Sequence, residues 1–345
     1  MAEKILLVRN DKLGDFMLAW PAYRLLKQNY PDAQVHALVP AYTRPMAEQC
    51  PWIDQVIIDP GEHAGPVQMA RLFRKQGYTR AVCLFSSFRV AMGIKLAGIP
   101  HRYAPATKVF QFLFNHRITQ RRSQSIKPEW QYNTDLIVAM LRDMAKPVDE
   151  ACLHAPYLQF DQAELAQTRT QFFAETGLSS QKPLVLMHTG SGGSASNLSA
   201  AQYAELANAI MQQHDCQIVL SIGPGELEKA AAVYAGAPKA IMWQSQGGLL
   251  SFAKVIALAD LFIAGSTGPL HIAGALDVPT VGFYPRVAVM SALRWQTLNA
   301  ENKRLAFWPE EPAEGVDMSH IDLSAAAQQI LARGWCTPKQ EAALL

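Results

Sequence analysis

Charged residues crowd the end of the first apolar segment of the chain. The stretch KILLVRNDKLGDFMLAW places Arg9, Asp11, Lys12 and Asp15 between an apolar run and a helical pattern. Asp15 lies where that helix begins, so its carboxylate can cap free backbone N–H groups in its ionised form. An ionised carboxylate in a ligand site can also take a proton from a substrate hydroxyl. Asp15 is therefore either a helix cap or a general base.

The other charges of this loop fit both interpretations. Asp11 competes with Asp15 as the base, but it lies in mid-turn, where an aspartate more often forms an Asx turn. Arg9 and Lys12 would keep a nearby carboxylate ionised or meet an anionic acceptor. We assign Asp15 as the catalytic residue, and Arg9 and Lys12 as acceptor contacts.

A loop of small residues, HTGSGGSASNLS at 188–199, follows one predicted strand and precedes a predicted helix. Its glycines and serines let backbone N–H groups and hydroxyls approach an oxyanion at a helix N-terminus. The loop lacks the G-x-x-x-x-G-K-[ST] pattern of a P-loop and the G-x-G-x-x-G pattern of dinucleotide oxidoreductases. Phosphate binding and a plain flexible loop are both compatible with these residues.

The stretch LFIAGSTGPLHIAGALDVPTVGFYP at 261–285 is the most informative part of the chain. A strand ends at Ala264, a tight turn follows, and Pro269 suits the first turn of a helix. That helix presents backbone amides from Thr267 to Leu270, with two hydroxyls, to an anion. His271 either donates to the anion or has a structural role. Two anion sites in one domain predict a nucleoside diphosphate-sugar, ahead of a mononucleotide or another polyanion.

A basic segment spans 95–127 and contains no acidic residue, and aromatic side chains are interleaved with its charges. Such a run is a solvated face, a nucleic-acid site, or a landing site for an anionic glycolipid at a membrane surface. A net charge of only +2 and the two phosphate loops make nucleic acid the weaker partner. The residues predicted to contact an acceptor are Arg102, Lys108, Arg117, Arg121 and Arg122.

Apolar runs alternate with helical patterns in two series, which predicts two domains with parallel sheets covered by helices. The first series has strands at about 4–9, 34–39, 55–58 and 81–85, and helices at about 15–29, 43–50, 66–76 and 128–142. The second has strands at 184–190, 216–223, 261–266 and 279–285, and helices at 199–214, 225–236, 249–259, 269–277 and 322–335. We predict an α/β chain of two Rossmann-like, doubly wound domains facing a central cleft. Ligands bind such sheets beyond the carboxyl ends of the strands.

The composition limits the kinds of protein that this chain can be. The chain has 345 residues, 50% hydrophobic and 17% charged, which is typical of a soluble two-domain protein. Five scattered cysteines without a C-x-x-C pair fit a reducing cytoplasm better than a disulfide framework or a zinc site. The N-terminus lacks the pattern of a signal peptide, and no run approaches the ~20 apolar residues of a membrane span. A monomer is expected.

Three stretches of the chain resemble glycosyltransferase family 9, the heptosyltransferases: KILLVRNDKLGDFMLAWPAYRLLKQNYP, AQVHALVP and AGSTGPLHIAGALDVPTVGFYP. The resemblance covers nearly the whole chain. It implies a GT-B fold with an acceptor domain at 1–160, a donor domain at 161–321, and a helix at about 322–345 that packs back on the first domain. It also implies inverting transfer of heptose from ADP-heptose to a lipopolysaccharide inner-core acceptor. No metal or cofactor is implied, and the enzyme would be cytoplasmic and peripheral to the inner membrane.

The resemblance assigns roles to individual residues. Asp15 matches the general base. Glu226 lies where the family often has an acidic residue near the nucleotide ribose, with Glu228 as its rival. The residues that match the two phosphate motifs are Thr189, Gly190 and Ser191 in one loop and Ser266, Thr267, Gly268, Pro269 and His271 in the other, and the Leu270 amide lies beside them.

One departure from the family pattern lies in the first phosphate loop. Ser196 or Asn197 stands where the family usually has a lysine or arginine, and Leu198-Ser199 replaces a Trp-Pro pair. A missing cation removes ~2–4 kcal/mol of stabilisation from the transition state unless amides, His271 or Arg286 compensate. A family member with a different donor, or a non-catalytic relative that binds nucleotide or glycolipid, is therefore the alternative function.

Overall fold

The computed structural model describes residues 3–190, 196–310 and 315–336. The chain divides into two compact units, Met1–His154 and Ala155–Leu345. Each unit is built around its own parallel sheet and its own apolar core. The predicted two-domain α/β organisation is confirmed, and the division falls at 154/155, where the sequence predicted 160/161.

The sheet of the first unit is six-stranded, and each strand runs parallel to its neighbours. Its strands are β1 Lys4–Val8, β2 Gln34–Pro40, β3 Gln55–Asp59, β4 Arg80–Cys83, β5 His101–Pro105 and β6 His116–Ile118. They follow the order β3-β2-β1-β4-β5-β6. The four predicted strands are confirmed. β5 and β6 lie in the basic segment, where polar residues hide the apolar run that marks a buried strand.

The helices of the first unit cover this sheet. They are α1 Leu13–Met17, α2 Trp20–Asn29, α3 Arg44–Ala47, α4 Pro66–Arg74, α5 Phe88–Leu96 and α6 Glu129–Asp143. The single helix predicted over 15–29 is divided between α1 and α2. Pro21 explains the division, because proline has no N–H to continue the first helix.

The sheet of the second unit is also six-stranded and parallel. Its strands are β7 Leu184–His188, β8 Gln217–Ile222, β9 Ile241–Gln244, β10 Leu261–Gly265, β11 Thr280–Phe283 and β12 Arg304–Phe307. They follow the order β12-β11-β10-β7-β8-β9. The prediction that the strand at 279–285 is the last one is wrong. β9 and β12 are short, partly exposed edge strands, so they lack a clear apolar run.

The helices of the second unit are α7 Gln162–Thr176, α8 Ala200–Gln213, α9 Leu227–Gly236, α10 Gly248–Leu258, α11 Gly268–Ala275 and α12 Leu323–Ala332. The predicted N-cap of α8 is confirmed. Ser199 and Gln202 form a capping box, in which the Ser199 hydroxyl accepts from the Gln202 N–H at 3.2 Å and the Gln202 Oε1 accepts from the Ser199 N–H at 3.0 Å.

The C-terminal helix belongs to the second unit. Leu323, Ala327 and Ile330 of α12 join the apolar core around β7, β8 and α8. The Gln202 amide donates to the Met318 carbonyl at 2.9 Å, just before α12. The apolar face of its described part is buried against α8, and the packing of the helix at about 322–345 on the first domain stays a prediction. Residues 337–345 lie outside the described residues.

Both sheets have a switch point between their first and fourth strands. β1 lies between β2 and β4, and β7 lies between β8 and β10, so the connections leave the central strand in opposite directions. Beyond the carboxyl ends of such a strand pair a parallel sheet opens a crevice for ligands. The loops after β1 and β4, and after β7 and β10, are therefore the places to look for chemistry.

Two further sequence predictions can be compared with the structure. All five cysteines are free thiols. Among the described residues, no helix has the length and apolar character needed to cross a membrane.

We expect Ser199→Ala to lower the free energy of unfolding by about 1 kcal/mol, because it removes the acceptor of the Gln202 N–H. Urea unfolding followed by circular dichroism measures the change. Ser180→Ala alters an exposed serine of the same unit and should stay within ~0.5 kcal/mol of the wild type. Equal stability of the two variants would show that the capping box contributes nothing measurable.

Candidate active site

A buried arginine organises the loop that follows β1. The Arg9 guanidinium donates from Nε to Asp11 Oδ1 at 3.0 Å and from Nη2 to Asp15 Oδ1 at 2.5 Å. Its Nη1 donates to Glu129 Oε1 at 2.8 Å and to Asn133 Oδ1 at 3.0 Å, both on α6. One side chain therefore joins the end of β1, the start of α1 and the start of α6.

The sequence predicted that Arg9 contacts an acceptor. Its side chain is only 3% exposed, so it is not placed to do so. Burial lowers the pKa of its guanidinium, but the carboxylates of Asp11, Glu129 and Asp15 raise it by more. The pKa therefore lies well above its usual value. The charge is permanent, and it fixes the carboxylates around it. This agrees with the other predicted role of Arg9, which is to keep a carboxylate ionised.

Asp15 is turned toward Arg9 and does not cap its helix. The N-cap position of α1 belongs to Lys12, whose side chain makes no capping hydrogen bond and is exposed. The helix-cap interpretation of Asp15 is therefore wrong. Its side chain is 17% exposed, so part of it remains in contact with solvent while Arg9 holds Oδ1.

The cluster around Arg9 contains more carboxylates than guanidinium groups. Arg122 donates from Nη1 to Glu129 Oε1 at 3.1 Å and to the carbonyl of Leu84, the residue directly after β4, also at 3.1 Å. Two guanidinium groups thus face the carboxylates of Asp11, Asp15 and Glu129, which leaves an excess of one negative charge. Burial raises the pKa of Asp11 to about 7, with Arg9 opposing the rise and Asp15 adding to it.

A second ion pair lies at the same edge of this sheet. Asp59, the last residue of β3, accepts from Arg89 Nη2 at 2.5 Å and from the Asn10 amide. It also accepts from the Gly61 N–H at 2.9 Å. Asn10 comes from the loop after β1, so the two ion-pair clusters share one loop.

The basic residues predicted to contact an acceptor divide into two groups. Arg102 donates to the carbonyls of Ile99 and Leu113, at 2.7 and 2.9 Å, and Arg122 belongs to the Arg9 cluster. Their guanidinium groups therefore hold backbone and carboxylates in place. The remaining three, Lys108, Arg117 and Arg121, are exposed.

Two threonine hydroxyls are buried at the switch point of the second sheet. Thr189 follows β7 and Thr267 follows β10, and these strands pair in parallel with Ala264 opposite His188. Neither hydroxyl has a hydrogen-bond partner in the described part of the chain. Because buried hydroxyls are nearly always satisfied, this pair can donate to a ligand or to water.

Asn197 joins the loops that carry these threonines. Its amide nitrogen donates to the carbonyls of Thr189 and Gly190 at 3.0 and 3.2 Å, and its Oδ1 accepts from the Tyr203 hydroxyl at 2.6 Å. The Tyr203 oxygen in turn accepts from the Gly265 N–H at 3.1 Å. A Cβ on Gly265 would lie 2.5 Å from Asn197 Oδ1, so this close approach requires glycine. The Asn197 side chain is thus committed to the protein and positions both loops.

Glu226 lies against the first of these loops. Its carboxylate accepts from the Gly223 N–H at 3.0 Å and lies 3.5 Å from His188 Nε2. A Cβ on Gly190 would be 1.8 Å from the Glu226 Cδ, so any larger residue there would displace this carboxylate. Burial lowers the pKa of His188, with Glu226 opposing the change. Glu228, the rival candidate, is exposed on α9.

The start of α11 presents backbone donors beside the threonine pair. Thr267 is its N-cap residue, and Pro269 lies in its first turn, where a missing N–H costs nothing. The Leu270 side chain is fully buried, so only its backbone N–H can serve a ligand. His271 is also buried. Three other predicted donor residues are partly exposed: Ser196, Ser266 and Gly268. Ser191 lies outside the described residues.

Some of these residues escaped prediction. Glu129 and Asn133 lie more than a hundred positions from Arg9, and the signal that could have revealed them is weak. Both are polar residues on the buried face of the amphipathic helix α6. Tyr203 was hidden among the core positions of α8. Within the described ranges, no group of three or more His, Cys, Asp or Glu side chains could hold a metal ion.

The raised pKa of Asp11 predicts a pH dependence of stability. Its folded pKa of about 7 lies above the ~3.9 of an unfolded aspartate, so the folded state keeps a proton that the unfolded state loses. This stabilisation is present below about pH 4 and is lost as the pH rises through about 7. We expect the free energy of urea unfolding of the wild type, minus that of Asp11→Asn, to fall across that range.

Asp59→Asn is the matched control for this measurement. Burial raises the pKa of Asp59, but hydrogen bonds from Arg89 and Asn10 outweigh it and lower that pKa. The contribution of Asp59 is therefore lost as the pH falls, and the corresponding difference should not decline as the pH rises. A difference for Asp11→Asn that stays flat with pH would contradict the raised pKa.

Known proteins similar to this chain include glycosyltransferases. The family model described as glycosyltransferase family 9 (heptosyltransferase) matches residues 67–313. A Haemophilus influenzae protein, named provisionally as a glycosyltransferase, is 42% identical over 97% of this chain and 99% of its own length. Lipopolysaccharide heptosyltransferase 2 of Escherichia coli is 26% identical over 81% of this chain and 82% of its own.

The fold also has a counterpart among solved structures. The structure of E. coli ADP-heptose lipopolysaccharide heptosyltransferase II matches 96% of this chain and 98% of its own, with a TM-score of 0.74 and 23% identity. This likeness confirms the predicted GT-B fold. Together with the match to the family model and the 42% identical relative, it leads to the conclusion that the chain belongs to glycosyltransferase family 9, the heptosyltransferase family, and is a glycosyltransferase.

Proposed function

We propose that this protein is an inverting, metal-independent glycosyltransferase that moves a heptose from ADP-heptose to a lipopolysaccharide inner-core acceptor. The names of the E. coli relatives support the donor and the acceptor. The observation that carries the proposal is the placement of Asp15. Its partly exposed carboxylate is fixed by a buried arginine at the switch point of the first sheet.

Asp15 is the general base of the proposed reaction. Its carboxylate takes the proton of the acceptor hydroxyl as the oxygen attacks the anomeric carbon of the donor sugar. The bond from that carbon to the diphosphate oxygen breaks, and its electron pair leaves with ADP. Attack from the face opposite the leaving group inverts the anomeric configuration. Arg9 keeps the base oriented, because its Nη2 donates to the carboxylate oxygen at 2.5 Å.

The donor diphosphate is proposed to bind the loops after β7 and β10. The hydroxyls of Thr189 and Thr267 are buried there without protein partners among the described residues. The first backbone N–H groups of α11 have no intrahelical partner and carry the positive end of the helix dipole. These donors suit the oxygens of a diphosphate, and Glu226 is proposed to hold the ribose. The proposal requires no cofactor.

A different nucleotide-sugar donor is the second candidate. Ser196 or Asn197 stands where the family usually has a cation, and the Asn197 side chain is bound within the protein. A pocket changed in this way could select another sugar or base. Calorimetric titration with ADP, UDP and GDP separates the two candidates, because preference for UDP or GDP would keep the fold and the base but change the donor.

We expect Asp15→Asn to lower turnover of ADP-heptose about 10²- to 10⁴-fold, because the amide cannot accept the acceptor proton. Binding of ADP-heptose, measured by calorimetry, should stay within about twofold, since the loops that carry the donor sites lie in the second unit. Asp59→Asn, the same change at the same sheet edge, should keep most of the turnover. If Asp15→Asn turns over as fast as this control, Asp15 is not the base.

The acceptor is proposed to approach over the basic segment at a membrane surface. Val109 is 95% exposed and Phe112 is 62% exposed, in a short 3₁₀ turn next to the exposed Lys108. Arg117 and Arg121 add two exposed cations. Exposed apolar side chains among cations fit an anionic glycolipid layer, in which the apolar groups enter the interface and the cations meet phosphates. The proposed location is the cytoplasmic face of the inner membrane.

We expect the double variant Val109→Ser/Phe112→Ser to bind vesicles of phosphatidylethanolamine and phosphatidylglycerol at least tenfold more weakly. The reason is that the variant no longer buries two large apolar side chains in the membrane interface. Full burial of each such side chain contributes ~1.5–3 kcal/mol of free energy. Vesicle sedimentation measures the binding. Val67→Ser removes an equally apolar residue that is 58% exposed on α4, outside the basic segment, and should bind as the wild type does. Equal binding by all three proteins would contradict this membrane contact.

A further inference from the structure

We propose that Lys229 on α9 provides the positive charge that meets the donor diphosphate, in place of a cation from the loop at 188–199. This inference rests on the proposed donor site. The hydroxyls of Thr189 and Thr267 and the amides of α11 are neutral donors, whereas a diphosphate carries at least two negative charges. A cation beside these groups is therefore expected on electrostatic grounds.

Lys229 lies next to the residues that form the site. It is the third residue of α9, which begins after β8, and β8 pairs with β7 along its length. The Lys229 ammonium is 5.9 Å from the ring centre of Tyr203, the residue whose hydroxyl joins Asn197 to the Gly265 N–H. The lysine thus stands beside the hydrogen bonds that connect the two phosphate loops.

The ammonium of Lys229 is half-buried and has no counter-ion in contact. No carboxylate of the described residues lies within ion-pair distance of its Nζ, and Glu226 attracts it only at longer range. Burial lowers the pKa of Lys229, with Glu226 opposing the shift. Partial removal of water from an ammonium without a paired anion costs free energy. Contact with a bound phosphate would replace that lost hydration.

Other lysines of this unit differ from Lys229 in this respect. Lys182 holds Asp215 at 2.6 Å, Lys254 holds Glu164 at 3.1 Å and Lys303 holds Asp277 at 2.6 Å. Their charges are neutralised by partners on the protein surface. Lys229 instead rests against an aromatic ring, an interaction worth only ~0.5–1 kcal/mol when exposed, which it can exchange for a stronger contact with an anion.

Calorimetric titration of the full chain without metal, using ADP, inorganic pyrophosphate and adenosine as probes, tests this role. Lys229→Met keeps the apolar stem and removes the charge. We expect it to weaken ADP and pyrophosphate at least tenfold, as loss of a charge-assisted contact does, and to leave adenosine within about twofold. Lys229→Arg should bind ADP nearly as the wild type does, and Lys239→Met, which alters an exposed lysine of the same unit, should bind like the wild type.

A second variant shows whether position or only charge matters. Ser196 is partly exposed in the loop that lacks a cation, so Ser196→Lys in the Lys229→Met background should restore most of the ADP affinity. Lys229→Met protein that binds ADP as tightly as the wild type would overturn the inference and leave the proposed function intact. Wild-type protein that binds neither ADP, another nucleoside diphosphate nor pyrophosphate would overturn both. Equal losses for ADP and adenosine would also overturn the inference, since they would indicate a structural defect.

Discussion

A guanidinium without contact to water must be surrounded by negative charge, and Arg9 meets this requirement with three carboxylates and an amide. This constraint ties the end of the central strand of the first unit to the start of α1 and to α6. Truncation of any one carboxylate would leave part of a buried charge unpaired. The geometry of the proposed base therefore depends on a contact that spans most of the first unit.

The second unit reaches a comparable crevice with different chemistry. Its sheet has the same kind of switch point, but the loops there are joined by the neutral side chains of Asn197 and Tyr203. Two close approaches, of Glu226 to Gly190 and of Asn197 to Gly265, leave no room for a Cβ. The resulting loops present hydroxyls and backbone amides, which suit an anion that must be bound and later released.

In the reaction that we propose, the contrast between the two units corresponds to the two halves of a glycosyl transfer. A base must be negatively charged and precisely oriented, so it is built from ion pairs in a largely buried setting. A leaving group gains negative charge, so it is met by oriented dipoles and, in our proposal, by one lysine that is not already neutralised. A parallel sheet supports both arrangements, because it collects the loops after its central strands at one edge.

The sequence by itself determined the architecture and the placement of the main loops. Apolar periodicity located most strands and helices, because buried central strands must be continuously apolar and amphipathic helices must repeat their apolar face. It missed the edge strands β6, β9 and β12 and the polar strand β5 beside β6, where burial is incomplete and the pattern fades. The loop residues Asp15, Thr189 and Thr267 were also identified from sequence, because strand-to-helix turns show in local residue types.

Only the tertiary structure decided how those loop residues are held. Arg9 changed from an acceptor contact to a buried organiser, because Glu129 and Asn133 arrive from a helix far along the chain. The alternative role of Asp15 as a helix cap was excluded, since its carboxylate is paired with Arg9. From sequence, Asn197 was only one of two residues standing where the family has a cation. The structure makes it a link between loops, since its partners come from α8 and from the loop after β7. α12 packs on α8, where its apolar face is buried. Such contacts join residues that are distant in sequence, and no local pattern of residue types records them.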